Sequence, residues 1–203
     1  MKRLHHPTLA RAAALFLILL LLAAGTGCAR RHRRNEAHAE PTATLPDGDL
    51  ALFPEAASFE AIETVDPQES YYSDGEFGST RILRAEALYD AAKTPLGYVI
   101  VLENRNAYNS PLTLALGIRP DGTTAGIVFL ELNETPGKGS LANEPAFRDQ
   151  FKDRSADDLL ENRNPRNGNI EGLDVISGAT VTSKAVFNAV SAGLDFYRTA
   201  IAP

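Results

Sequence analysis

The sequence predicts an α+β fold: an antiparallel sheet with flanking helices, formed by one domain behind an N-terminal membrane anchor. Three observations predict it. Short apolar and β-branched runs joined by tight turns fill residues 80–132, and consecutive short strands of this kind favour antiparallel pairing. After residue 143 the hydrophobic spacing changes to the three-to-four period of helices. Near the start, Ala12 to Ala29 is a stretch of 18 uncharged residues.

That stretch spans roughly 27 Å as a helix, just enough for a bilayer. Three readings are open for residues 1–29. The charged start, the apolar centre and the small residues up to Cys28 look like an export signal. Gly27-Cys28 resembles the lipobox at which bacterial lipoproteins are acylated on cysteine, although Gly25 stands where that pattern usually has Leu. The third reading is an uncleaved helix. The basic residues on both sides do not settle its orientation. All 203 residues contain one cysteine, and Cys28 sits where a lipid would be attached. The expectation carried forward is a cell-membrane protein whose domain lies on the extracytoplasmic side.

Residues 30–49 are polar, contain Pro41, Pro46 and Gly48, and read as a tether. The folded domain is expected over residues 50–203. Glu60 to Thr64 reads as the end of a short helix begun near Pro54. Thr80 to Leu88, Gly97 to Leu102, Leu112 to Ile118 and Thr124 to Leu132 read as strands, with Arg119-Pro-Asp-Gly122 as a turn. A helix starting at Asn143-Glu-Pro145 places Phe147 and Phe151 on one face. Ser155-Ala-Asp-Asp158 resembles a capping box with Asp in place of Glu. Residues 162–172 form a Gly/Asn/Pro-rich loop. The last helix is expected from about Thr182 to Thr199, with Val186, Ala189, Val190, Gly193, Leu194 and Tyr197 on one stripe.

Charge and histidine usage restrict the chemistry. The net charge is −6, but Lys2, Arg3, Arg11, Arg30, Arg31, Arg33 and Arg34 lie in an acid-free start, leaving thirteen basic and 26 acidic residues afterwards, or −13. So acidic a domain is repelled by phosphate backbones, which argues against a nucleic-acid partner. His5, His6, His32 and His38 all precede residue 39. The domain therefore has neither imidazole nor thiol, which removes Ser-His-Asp and Cys-His catalysis and His- or Cys-based metal sites.

Two segments carry the remaining chemistry. Asp174-Val-Ile-Ser177-Gly178-Ala179-Thr180 places hydroxyls and a glycine at the start of the last helix, with Thr182, Ser183 and Lys184 following. Free N–H groups and the helix dipole there favour an anion, though Ser and Thr are equally at home there as plain helix caps. The second segment is Glu134-Thr135-Pro136-Gly137-Lys138-Gly139, which by itself reads as a strand-to-helix loop.

The first segment resembles the Asp-x-x-(Ser/Thr)-Gly-Ala-Thr flavin-attachment motif of the FMN-binding domain family. This family includes the G subunit of the Rnf electron-transport complex and the C subunit of the sodium-pumping NADH:quinone reductase. The second segment resembles that family's Glu-Thr-Pro-Gly-Leu-Gly loop. The Gly97-Tyr98 strand, the Pro120-Asp-Gly122 turn and the Glu144 to Phe151 helix stand where the family has them, so the resemblance covers roughly residues 50–200. It implies FMN linked covalently by a phosphoester to Thr180 and installed from FAD by a separate flavin transferase. It also implies a cofactor site drawn from Asp174, Ser177, Gly178, Ala179, Thr182, Ser183, Lys184, Glu134, Thr135 and Gly137. Lys184 or backbone N–H groups are expected to meet the phosphoryl charge.

The implied role is an electron-transfer subunit of an Rnf-type ion-translocating ferredoxin:NAD oxidoreductase, working beside other membrane subunits and turning over no diffusible substrate alone. Two departures stand out: Lys138 replaces the family's Leu, and Leu132 occupies a position where many members have His. The alternatives are a stand-alone extracytoplasmic flavoprotein carrier and a lipoprotein binding module without flavin. A third is a hydrolase using Asp157 with Asp158, or Glu131 with Glu134.

Overall fold

A computed structural model describes residues 44–64 and 77–202 of the chain. The anchor, Cys28 and most of the expected tether lie outside them. Among the described residues, no helix is long and apolar enough to cross a membrane.

Five strands form one antiparallel sheet in sequence order: β1 (Ser58–Ile62), β2 (Thr80–Tyr89), β3 (Pro95–Asn104), β4 (Leu112–Ile118) and β5 (Thr124–Glu131). Every residue of β4 is buried, because both faces of the sheet are covered there. That is why β4 reads as a continuous apolar run rather than an alternating one. On one face, Ile100, Leu102, Leu114, Leu116 and Ile118 pack against the last helix, α4 (Thr180–Phe196). On the other, Val99, Val101, Ala115 and Leu88 pack with Phe53, at the end of α1 (Asp47–Leu52). Phe53 sits so close to Gly97 that a Cβ there would lie 2.7 Å from its ring.

The α1 face also holds a charge cluster. Arg84 donates both terminal nitrogens to Asp49, at 2.7 and 3.0 Å, and also pairs with Glu86. Asp49 is completely buried. A bulge in β2, where the register slips between Ile82 and Arg84, makes this possible. Ile82 and Ala85 both belong to the α4-side core although they are three apart, so the phase of the strand reverses and Glu86 and Leu88 turn to the α1 side.

α4 is buried on nearly every side. Gly193 allows close approach to the sheet: a Cβ there would lie 2.9 Å from a methyl of Leu116 and 3.1 Å from one of Leu102. Its other flank meets Phe147 and Phe151, which cluster with Phe187 at centroid separations of 5.7–6.0 Å. Those two rings come from α2 (Pro145–Arg148) and the 3-10 turn Asp149–Phe151, with α3 (Ala156–Glu161) beyond. Ser155 caps α3 as expected, its Oγ accepting the Asp158 N–H.

Three expectations need correction. The helix expected to end over Glu60 to Thr64 is strand β1: Phe59 and Ile62 pack on opposite faces of the sheet, and pairing with β2 outweighs the helical preference of Glu and Ala. The expected tether, residues 30–49, overlaps α1, so packed structure begins before Leu50, held by the buried Asp49. Finally, α4 begins at Thr180, two residues earlier than Thr182.

Burial, reinforced by the neighbouring Asp49 and opposed by Arg84, pushes the Glu86 carboxyl up to about 7 from its ordinary 4.5. The folded protein therefore holds this proton more tightly than the unfolded chain. The resulting stability is full below the unfolded pKa and is lost as pH rises through the folded one. We expect Glu86→Gln to match the wild type in urea unfolding at about pH 4.5 and to become progressively the more stable of the two towards about pH 8.

Candidate functional site

The loop after β5 is shaped by its sequence. Lys138 N–H donates to Thr135 O at 3.1 Å, closing a turn with Pro136 and Gly137 at its centre, and Gly137 has φ +71°. Proline followed by a positive-φ glycine is the signature of a type II turn. Gly137 N–H then donates to Ser140 Oγ at 3.0 Å, leading into the 3-10 turn Gly139–Asn143.

Glu134 opens this loop and is 8% exposed. Its Oε1 accepts the Asn109 N–H at 3.1 Å, and its Oε2 accepts Thr182 Oγ1 at 3.0 Å. One carboxylate thus joins the β3–β4 loop, the loop after β5 and the first turn of α4. Asn109 Nδ2 adds a bond of 3.3 Å to Thr135 Oγ1. Gly139 fills the remaining space, for a Cβ there would collide with Glu134 Oε2 and lie 2.7 Å from Thr182 Oγ1.

The segment before α4 is equally constrained. Ile176 N–H donates to Ser183 Oγ at 2.9 Å, and that hydroxyl donates to Ala179 O at 3.1 Å. Ala179 N–H closes a turn onto Ile176 O at 2.9 Å, with Gly178 at φ +74°. A Cβ on Gly178 would meet nothing within 4 Å, so backbone conformation rather than space calls for glycine. Ala179 is the N-cap of α4 and supplies no side-chain cap. The N–H groups of Thr180, Val181 and Thr182 have no hydrogen-bond partner among the described residues.

Between these segments lies a cavity of about 470 Å³. Of the expected site residues, Glu134, Thr135, Gly178, Ala179, Thr180 and Thr182 line it. Asp174, Ser177, Gly137, Ser183 and Lys184 do not. Asp174 is tied through its main chain to Gln150, Gly137 shapes the turn, and the fully buried Ser183 holds the pre-helix segment together. Lys184 lies half-buried beyond the cavity wall. The hydroxyls are therefore divided: Thr182 is bonded to Glu134 and Ser183 to the backbone, whereas Thr180 is exposed on the cavity and its hydroxyl makes no hydrogen bond among the described residues.

The cavity is also lined by Tyr108, Lys138, Gly139 and Val181, which were outside the expected site set, although Lys138 stood out in the sequence as a charge near the expected flavin edge. The signal for Tyr108 was an exposed aromatic in a polar connection, residues 105–111, that is longer than the other tight strand turns. Glu131, Asp157 and Asp158 are exposed and lie outside the cavity lining, so the paired-carboxylate alternative has no shared cleft here.

A buried acidic staple, a helix start with open N–H groups and a cavity of about 470 Å³ meet in this α+β domain. The model of the FMN-binding domain matches residues 107–195, which include every residue lining the cavity. The chain is 30% identical over 146 residues to the G component of the ion-translocating oxidoreductase complex of Methanosarcina acetivorans, covering 71% of this chain and 70% of that protein. It is 34% identical over 100 residues to the G component of the proton-translocating ferredoxin:NAD(+) oxidoreductase complex of Clostridium ljungdahlii, covering 49% of this chain but only 52% of that one. The crystal structure of Shewanella oneidensis NqrC superposes with a TM-score of 0.48 at 21% identity, covering 67% of this chain and 69% of that one. The chain belongs to the FMN-binding domain family.

Two substitutions test the staple. Thr182→Val leaves Glu134 Oε2 without its donor, and Gly139→Ala forces a methyl against the same carboxylate. Each is expected to cost about 1–3 kcal/mol in urea unfolding. Gly178→Ala strains only the backbone and is expected to cost about 1 kcal/mol.

Proposed function

We propose that this chain is a membrane-attached electron-transfer subunit that carries FMN through a phosphoester to Thr180, within an Rnf-type ion-translocating ferredoxin:NAD oxidoreductase complex. The carrying observation is the division of hydroxyls at the start of α4, which leaves Thr180 as the unengaged one on the cavity. Bound FMN supplies redox chemistry that the imidazole- and thiol-free domain lacks.

The residues present suit that group. A phosphodiester on Thr180 Oγ carries one negative charge at the point where three N–H groups and the positive end of the helix dipole are open. These N–H groups, rather than Lys184, are the partners we assign to it. Gly178 and Ala179 present no bulk to the cavity, and Thr135 closes the opposite wall. A threonine hydroxyl needs a base to act as a nucleophile. Histidine is absent after residue 38, and the nearby Glu134 already accepts two hydrogen bonds. This agrees with attachment by a separate flavin transferase using FAD, as the family resemblance implies. A covalent tether suits an extracytoplasmic domain, from which a free cofactor would diffuse away. Cys28 remains the proposed lipidation point, and other membrane subunits the proposed partners.

The test is co-expression of the full chain with an active flavin transferase, followed by denaturing electrophoresis. A fluorescent yellow band is expected for the wild type and none for Thr180→Val, with Ser177→Ala retaining the band. Fluorescence persisting in Thr180→Val, or no fluorescence in the wild type, overturns the assignment.

A further inference from the structure

We infer that Lys138 is the counter-charge that raises the reduction potential of the flavin held in this cavity, an inference that rests on the proposed function above. Lys138 is the one cationic side chain lining the cavity among the described residues. The turn closed by its N–H onto Thr135 O, together with its own backbone at φ −131° and ψ −102°, sets it on the wall formed by the loop after β5. Thr180 faces the same space from α4.

The ammonium is not spent on the protein: Lys138 forms no ion pair or side-chain hydrogen bond with another described residue. The other charged group on the wall, Glu134, is buried and turned onto Asn109 and Thr182. The phosphoryl charge already has the open N–H groups of α4. Lys138 is exposed on the wall of the cavity that Thr180 also lines, so its ammonium is free to meet a flavin ring held there.

Its effect follows from charge. Residues 35–203 carry −13, so adding electrons to a group inside this domain works against the surrounding field. On reduction the flavin ring takes two electrons and either one proton, leaving one negative charge, or two protons and none. A cation beside it favours the charged product, and so favours uptake of electrons. A leucine at this position would offer no such charge.

The experiment is a spectroelectrochemical titration with dithionite as electron donor, on full-length protein purified with its covalently bound flavin. Lys138→Leu is expected to lower the midpoint potential, corresponding to a three- to tenfold smaller equilibrium constant for reduction at low salt. The difference should shrink as ionic strength rises, and Lys138→Arg should restore the wild-type potential. An unchanged potential in Lys138→Leu, or one that Lys138→Arg fails to restore, overturns the inference. A wild-type chain carrying no flavin after maturation instead refutes the proposed function, so the two failures are distinguishable.

Discussion

Three segments that are distant in sequence meet on the carboxylate of Glu134, and the candidate site depends on that meeting. Burying a carboxylate costs several kcal/mol unless hydrogen bonds replace its water. Here one oxygen takes the Asn109 N–H and the other the Thr182 hydroxyl, so both replacements come from elements that must be correctly placed. The carboxylate also sits beside the first turn of α4, where the helix dipole favours negative charge. Folding of the loop after β5 and docking of α4 are thereby linked: neither the glutamate nor the cavity behind it exists in this form unless both have occurred. Gly139 completes the arrangement because any side chain there would push the carboxylate off its donors.

α4 transmits this local geometry to the rest of the fold. Seventeen residues long, it extends roughly 26 Å and is clamped between the sheet and the Phe147–Phe151–Phe187 cluster. Its far end is fixed by Tyr197, whose ring lies 5.7 Å from that of Tyr98 on β3. A helix held along its whole length cannot tilt to relieve strain at its start. Thr180 and Thr182 are consequently positioned by contacts made well away from the cavity, such as the close packing of Gly193 on Leu102 and Leu116.

Much of this was legible in the sequence, for a physical reason. β2 to β5 are apolar runs bounded by turn residues, a pattern that depends on local order alone, and their antiparallel arrangement was expected. β1 escapes such a reading because Glu60 and Ala61 suit a helix by themselves; only the exposed edge of β2 makes them a strand. The glutamate, the glycines and the threonines of the site were visible as two motifs, but their division of labour was not. Nothing in the order Ser177-Gly-Ala-Thr-Val-Thr-Ser183 says that Ser183 is buried and bonded to backbone while Thr180 is open. That depends on which side of α4 faces the sheet. The bond from Asn109 to Glu134 was invisible because it comes from a main-chain N–H, which carries no residue signature.

The start of α4 breaks a local rule. Helices of this length favour Ser, Thr, Asp or Asn at the N-cap, and placing Ala there costs typically about 1 kcal/mol. Four hydroxyl residues lie within a few positions of Ala179, yet none caps the helix. Shifting the threonine by one position would satisfy an N–H group but occupy the hydroxyl that now faces the cavity. With Ala179 as cap, the chain keeps both the hydroxyl and the N–H groups of Thr180, Val181 and Thr182 available to something outside the protein's own bonding. The buried flank of α4 and the two hydrogen bonds of Ser183 offset the missing cap. Departures from local optimality that are compensated elsewhere are expected where function competes with stability. Here the sacrificed interaction coincides with the charge and chemistry that a phosphoester on Thr180 requires.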